Sequence, residues 1–104
     1  MRRSRDWNES LSNDLRNREF AREFVVALLD EGFSLREALA KTIRAYGLTE
    51  FASKAGMAAP NLSRSISPSA NPTERTLEQL LRPFGLRLAV STKAAPRRPR
   101  RKVA

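Results

Sequence analysis

Between Leu48 and Ile66 the chain reads LTEFASKAGMAAPNLSRSI, and its small and apolar residues fall where two short helices need them if they are to cross at a tight turn. In that frame Phe51, Ala52, Ala55, Met57, Leu62 and Ile66 point inward and Gly56 opens the turn. Ala52 is small enough for close helix approach, and Gly56 can take the positive φ that ends a helix at little steric cost. The pattern is that of a helix-turn-helix. A second helix held in this way presents its outer face, here Ala59, Pro60, Asn61, Ser63, Arg64 and Ser67, to a DNA major groove. Other short two-helix packing units share part of the pattern, so the flanking sequence has to carry the rest of the argument.

That flanking sequence is helical by period. From Phe20 the apolar residues recur at Phe24, Ala27 and Leu28, and Ala21, Val25 and Leu29 widen the stripe to the face a core-facing helix needs. Gly32 ends this helix. Ser34 with Glu37 three residues on forms a capping box, and Leu35, Ala38, Leu39, Ile43 and Tyr46 keep the helical period as far as Gly47. Thr49 is placed to cap the first motif helix and joins the residues expected near DNA. The second motif helix starts less well, because Ala58 or Ala59 stands where a hydroxyl cap is usual, although Pro60 suits a first turn. SPSANP at 67–72 reads as a loop. Thr73 then caps a last helix with Leu77, Leu80, Leu81 and Phe84 on one face, closed by Pro83 and Gly85. Up to five helices therefore fill the first 85 residues.

LRLAVS at 86–91 switches to period two, with Leu86, Leu88 and Val90 on one side. A lone strand cannot satisfy its own ladder of backbone groups. Two outcomes are open: an intersubunit β-ribbon with the same strand of a second copy, giving a two-fold homodimer through Leu86, Leu88 and Val90, or an irregular extended segment packed on the helices. The expected fold is thus an all-α, five-helix domain with one short C-terminal strand. Residues 1–16 form an N-terminal arm that is at most partly helical, residues 17–91 the domain, with its motif at 48–67, and residues 92–104 a disordered Arg-rich tail.

Charge narrows the class of partner. The chain carries +9 with a pI near 11.4, which draws it to polyanions. Six of those charges, at Lys93, Arg97, Arg98, Arg100, Arg101 and Lys102, lie in the tail with no acid among them, leaving +3 upstream. Arg97, Arg98, Arg100, Arg101 and Lys102 are the expected phosphate contacts. The sequence has no cysteine and no histidine, so disulfides, thiol chemistry, imidazole catalysis and Cys/His zinc sites fall away, and neither a cofactor nor a metal is expected. No apolar run approaches a membrane span, and MRRSR is followed by polar sequence rather than a signal-peptide core. The expected location is the cytoplasm, in association with the nucleoid.

Taken in order, WNESLSNDLRNREFAREFVVALLDEG, LREALAKTIRAYGLTEFASKAGM, NLSRSISPSANP and TLEQLLRPFGLRLAV resemble the addiction-module antidote family, HigA-like antitoxins with a Cro/repressor (XRE) type helix-turn-helix. The resemblance covers about residues 6 to 91. Its most specific parts are the spacing from Leu28, Leu29, Glu31 and Gly32 to Ala38 and Leu39, the Ala52–Gly56 core, the Leu62–Pro72 segment with Asn71, and Gly85 to Leu88. It implies a transcriptional repressor that binds a palindromic operator in its own promoter and neutralises a co-encoded RelE-like ribonuclease toxin.

Such a role asks no bond-making of the chain, and the residues agree. The acids are spread over helix surfaces, as Glu19 with Glu23 and Asp30 with Glu31, rather than paired for acid/base work. Ser63, Ser65 and Ser67 have no histidine to activate them, and no glycine-rich phosphate loop is present. An enzyme is the least expected class. Two other readings remain: a stand-alone regulator of the same fold without a toxin, or a nonspecific architectural nucleic-acid binder that places the proline-spaced arginines of its tail in a minor groove.

Overall fold

In the computed structural model, residues 9–90 are described, and they are built from helices alone. Residues 9–14 are helical (α1), followed by α2 (Arg18–Asp30), α3 (Leu35–Tyr46), α4 (Leu48–Ala55), α5 (Ala59–Ser65), α6 (Glu74–Leu81) and a 3-10 turn (Arg82–Phe84). This is one helix more than the periodicity indicates. α1 carries few apolar residues, but Leu15 just beyond it is fully buried and Leu11 packs against the core. Ser12 Oγ and Arg16 Nη1 both donate to the Tyr46 carbonyl, at 3.0 and 3.2 Å, and the Arg16 guanidinium sits 4.5 Å from the Tyr46 ring centroid. These contacts tie the N-terminal helix to the end of α3.

α2 begins where Asn17 accepts from the Phe20 N–H at 2.9 Å, a side-chain cap that satisfies one orphan donor. Its inward residues are Ala21 and Val25, which are buried, and Phe24 and Leu28, which are half-buried against the core; Phe20, Ala27 and Leu29 are exposed. The expected stripe is therefore wider than the face the helix buries, and α3 and the 3-10 turn are its main packing partners among the described residues. α3 carries the full capping box of Ser34 and Glu37. Donation from the Ser34 backbone N–H to Glu37 Oε1 at 2.9 Å holds this exposed carboxyl below the usual carboxylate range, with the Ser34 hydroxyl adding to the effect. Ala38, Leu39, Ile43 and Tyr46 are buried as the period predicts, and so are Ala40 and Thr42, whose hydroxyl donates to the Ala38 carbonyl at 2.8 Å.

The core closes around three aromatic rings. Tyr46 meets Phe51 edge-on at 5.5 Å, and Phe51 stacks on Phe84 at 5.3 Å, arrangements that add to the area each ring buries. Thr73 caps α6 by accepting from the Thr76 N–H at 3.2 Å, and Leu80, Leu81 and Phe84 are buried behind it. Beyond Gly85 the expected strand is absent among the described residues: 86–90 is irregular chain. Leu86 and Leu88 are half-buried against the core while Arg87, Ala89 and Val90 are exposed. The alternation is real but serves packing onto the helices, and the Leu88 N–H donates to Glu78 Oε2 at 2.9 Å instead of to a strand.

Candidate nucleic-acid interface

α3 and α4 meet through a single residue. Gly47 donates its N–H to the Ile43 carbonyl to finish α3, and its carbonyl accepts from the Phe51 N–H at 2.9 Å to start α4. Its φ of 120° and ψ of 113° lie in a region that side-chain-bearing residues rarely enter. Gly47 thus occupies the N-cap position expected of Thr49. Thr49 lies inside the first turn of α4, exposed, with no capping hydrogen bond.

The turn after α4 depends on Gly56, at φ 70° and ψ 39°. The Met57 N–H returns to the Ala52 carbonyl at 2.9 Å and the Gly56 N–H to Ser53 at 3.2 Å, a Schellman arrangement that satisfies the last carbonyls of α4. Ala52 is buried at the point where α4 packs on α3 and α5, and Ala55 and Met57 are half-buried around it. α5 then starts at Ala59 with no side-chain cap and Pro60 in its first turn. Leu62 and Ile66 are fully buried and anchor its inner side, each contributing about 1.5–3 kcal/mol of transfer free energy.

Two side chains that the sequence does not single out hold α5 and its turn in place. Arg36 Nη1 donates to the Ile66 carbonyl at 3.1 Å, and Gln79 Nε2 donates to the Ala55 and Gly56 carbonyls at 3.0 and 3.3 Å. Both partners are backbone oxygens more than 20 residues away, which no local spacing could reveal.

The outer side of α5 exposes Pro60, Asn61, Ser63 and Arg64, while Ala59 and Ser67 are half-buried at its two ends. Asn61 Oδ1 accepts from Arg64 Nη2 at 2.6 Å, so the amide orients the guanidinium one turn on. Ser65 Oγ bonds back to the Asn61 carbonyl at 2.9 Å, and Ser67 Oγ to the Arg64 carbonyl at 3.1 Å. Both hydroxyls satisfy the helix end rather than a catalytic partner. Arg64, Ser65, Ala70, Asn71 and Pro72 border an open depression of about 260 Å³ beside this face.

Charge is divided along the described chain. Residues 9–31 hold six acids and three bases, a net −3, and residues 32–67 hold five bases and two acids, a net +3. Among the described residues no group of three or more acids converges as a metal site would require, and no helix is long and apolar enough to cross a membrane. Arg97, Arg98, Arg100, Arg101 and Lys102 lie outside the described residues.

The described residues form six helices organised around a helix–turn–helix-like pair with an exposed short second helix. The family model described as "Probable addiction module antidote protein" matches residues 8–92. The chain belongs to this family of antidotes, and a toxin of some kind is the partner that membership entails. No curated protein and no solved structure matches the chain significantly.

Proposed function

We propose that the protein is the antitoxin of a toxin–antitoxin module and represses its own promoter by binding operator DNA through α5. The observation that carries the DNA-binding reading is the Asn61–Arg64 pair on an exposed helix that has no acid of its own. A guanidinium already oriented by an amide keeps further N–H donors for a guanine edge, and the Asn61 amide can assist at the neighbouring base. Ser63, on the same exposed side, assists the readout, and Thr49, Ala59 and Ser67 contact backbone phosphate on this reading, positioning the helix without reading sequence. The toxin it neutralises is of the RelE-like ribonuclease type, on the strength of the resemblance of the whole helical segment.

The repressor is a homodimer on this reading. If this irregular segment straightens on pairing, successive N–H groups will face opposite edges, and with the Leu88 N–H committed to Glu78 the edge left for a second copy carries Arg87 and Ala89. Val90 is 99 % exposed at the end of that segment. A palindromic operator asks of such a dimer that its two α5 helices stand about 34 Å apart. Ala89→Pro removes a donor on the pairing edge and is expected to give monomers in sedimentation, whereas Leu88→Pro would break the Glu78 contact instead.

Footprinting on the DNA upstream of the gene tests the central claim. Protection of an inverted repeat is expected, and Arg64→Ala should lower affinity by ~1–3 kcal/mol while relaxing preference at one base position. Equal weakening on operator and random DNA would show Arg64 to be a phosphate contact. Salt-sensitive binding with no protected repeat would favour the nonspecific architectural reading.

A further inference from the structure

Three of the four large apolar side chains exposed among the described residues stand on one helix: Phe20 at 40 %, Val26 at 41 % and Leu29 at 38 %, all in α2. The helix buries Ala21 and Val25, chiefly against α3 and the 3-10 turn, and these three side chains stand exposed among the described residues. At one margin of the buried face the exposed Phe20 ring stacks on that of Phe24, 6.3 Å between centroids, and Phe24 in turn is half-buried against the core. The two rings adjoin an open trough of about 610 Å³ between α1 and α2 whose lining includes Asp14, Glu19 and Glu23. The surface is therefore an aromatic centre with an acidic rim, set in the net-negative part of a chain that is otherwise basic.

An exposed apolar patch with a polar rim marks a docking surface, and charge selects among its occupants. Nucleic acid is excluded here, since phosphates would face Asp14, Glu19 and Glu23. A second copy is disfavoured, because a two-fold contact uses the same patch on both copies and would bring one net-acidic surface against another. A polypeptide that offers Lys or Arg around an apolar patch meets both features at once. Resting on the antitoxin reading, we propose that this flank of α2 is where the toxin docks, that the toxin's contact surface is basic, and that Phe20 is its anchor.

The test titrates the full chain, by calorimetry, with the purified product of the reading frame adjacent to its gene. Wild type is expected to bind with an affinity that falls as salt rises. Phe20→Ser should weaken binding by roughly tenfold or more, as removal of a central aromatic anchor does, and Glu19→Lys with Glu23→Lys should weaken it and reduce its salt dependence. Both variants should remain helical by circular dichroism and protect the same operator positions as wild type, Phe20→Ser with unchanged DNA affinity and the charge reversal with higher affinity, which separates docking from folding. If wild type binds and both variants bind equally well, the docking surface lies elsewhere and the antitoxin reading stands. If wild type does not bind that product, the toxin assignment fails and this inference with it. If Phe20→Ser instead converts a dimer to monomers in sedimentation, the face belongs to a second copy and the proposal is overturned.

Discussion

Gly47 and Gly56 bracket α4, and alanine at each should cost different amounts for reasons the structure separates. At Gly56 the backbone is left-handed, φ 70° and ψ 39°, and an added Cβ would meet nothing within 4 Å. The penalty is then only that of a left-handed alanine, about 1 kcal/mol. At Gly47 the backbone, φ 120° and ψ 113°, lies outside the left-handed well, where a side-chain-bearing residue costs ~1–3 kcal/mol, and an added Cβ would fall 2.5 Å from Glu50 Oε1. That carboxylate is the far end of a flexible, exposed side chain and can swing away, so most of the penalty is backbone. In a domain of this size about 1 kcal/mol corresponds to ~4–8 °C in melting temperature. Thermal unfolding by circular dichroism should therefore place Gly56→Ala about 4–8 °C below wild type and Gly47→Ala further below, within a range of roughly 4–24 °C. Adding Glu50→Ala to Gly47→Ala should recover little. Equal losses at the two glycines would refute a one-residue joint between α3 and α4, and recovery of most of the loss by Glu50→Ala would shift the cause from backbone to steric overlap.

Gln79→Ala removes the donor to the Ala55 and Gly56 carbonyls and should cost about 1 kcal/mol in urea unfolding. It should also weaken the operator footprint at protein concentrations where the variant is still folded. The lowered Glu37 carboxyl contributes stability above the ordinary carboxylate range, near pH ~4, and loses it as pH falls through its own lower value. The melting temperature of Glu37→Gln should accordingly fall less steeply than that of wild type on acidification through that range, and parallel curves would assign the acid sensitivity to other carboxylates. Truncation after Thr92 should flatten the dependence of log K on log salt by roughly one unit for each phosphate that the tail engages, while keeping the ratio of operator to random-DNA affinity. A collapsed ratio would mean that the tail reads DNA itself.

Where local chemistry decides an element, the residues declare it. Ser34 with Glu37, Thr73 and Gly56 act at chain positions readable from spacing, because a cap bonds to backbone only a few residues away. Thr49 shows the limit of the same logic: a hydroxyl near a helix start is a good cap only if a preceding residue does not already fill the position, and Gly47, at a φ that no side chain favours, does. The period of α2 marks a helix correctly but overstates its buried width, since period records which residues share a face and not whether a second element covers it. α1 escapes because two leucines are too few to display a period, and its burial comes with contacts to Tyr46, 30 and 34 residues on. Leu86 and Leu88 alternate as a strand would, yet a half-buried segment lying on helices needs the same alternation. Only the destination of the Leu88 N–H, which is Glu78, distinguishes the two in the single chain. Arg36 and Gln79 could not have been singled out at all, because their partners are carbonyls, which every residue has.

Net charge is the quantity most altered by knowing where residues sit. The chain's +9 suggests a body attractive to DNA all over, but residues 9–90 hold eleven bases and ten acids, a net of only +1, and within them a −3 segment precedes a +3 segment. A nearly neutral body has little long-range field at physiological salt, where the Debye length is about 8 Å, so attraction at a distance must come from the bases outside 9–90. What the folded part can supply is direct contact. Five of its bases fall between residues 32 and 67, and Arg64 is the one on the exposed side of α5. In the proposed repressor the tail therefore governs how fast and how salt-sensitively DNA is found, and α5 governs which sequence is kept. The acidic stretch that lowers the total is the same stretch that exposes Phe20, so neutralising it to raise DNA affinity would be expected to weaken toxin docking.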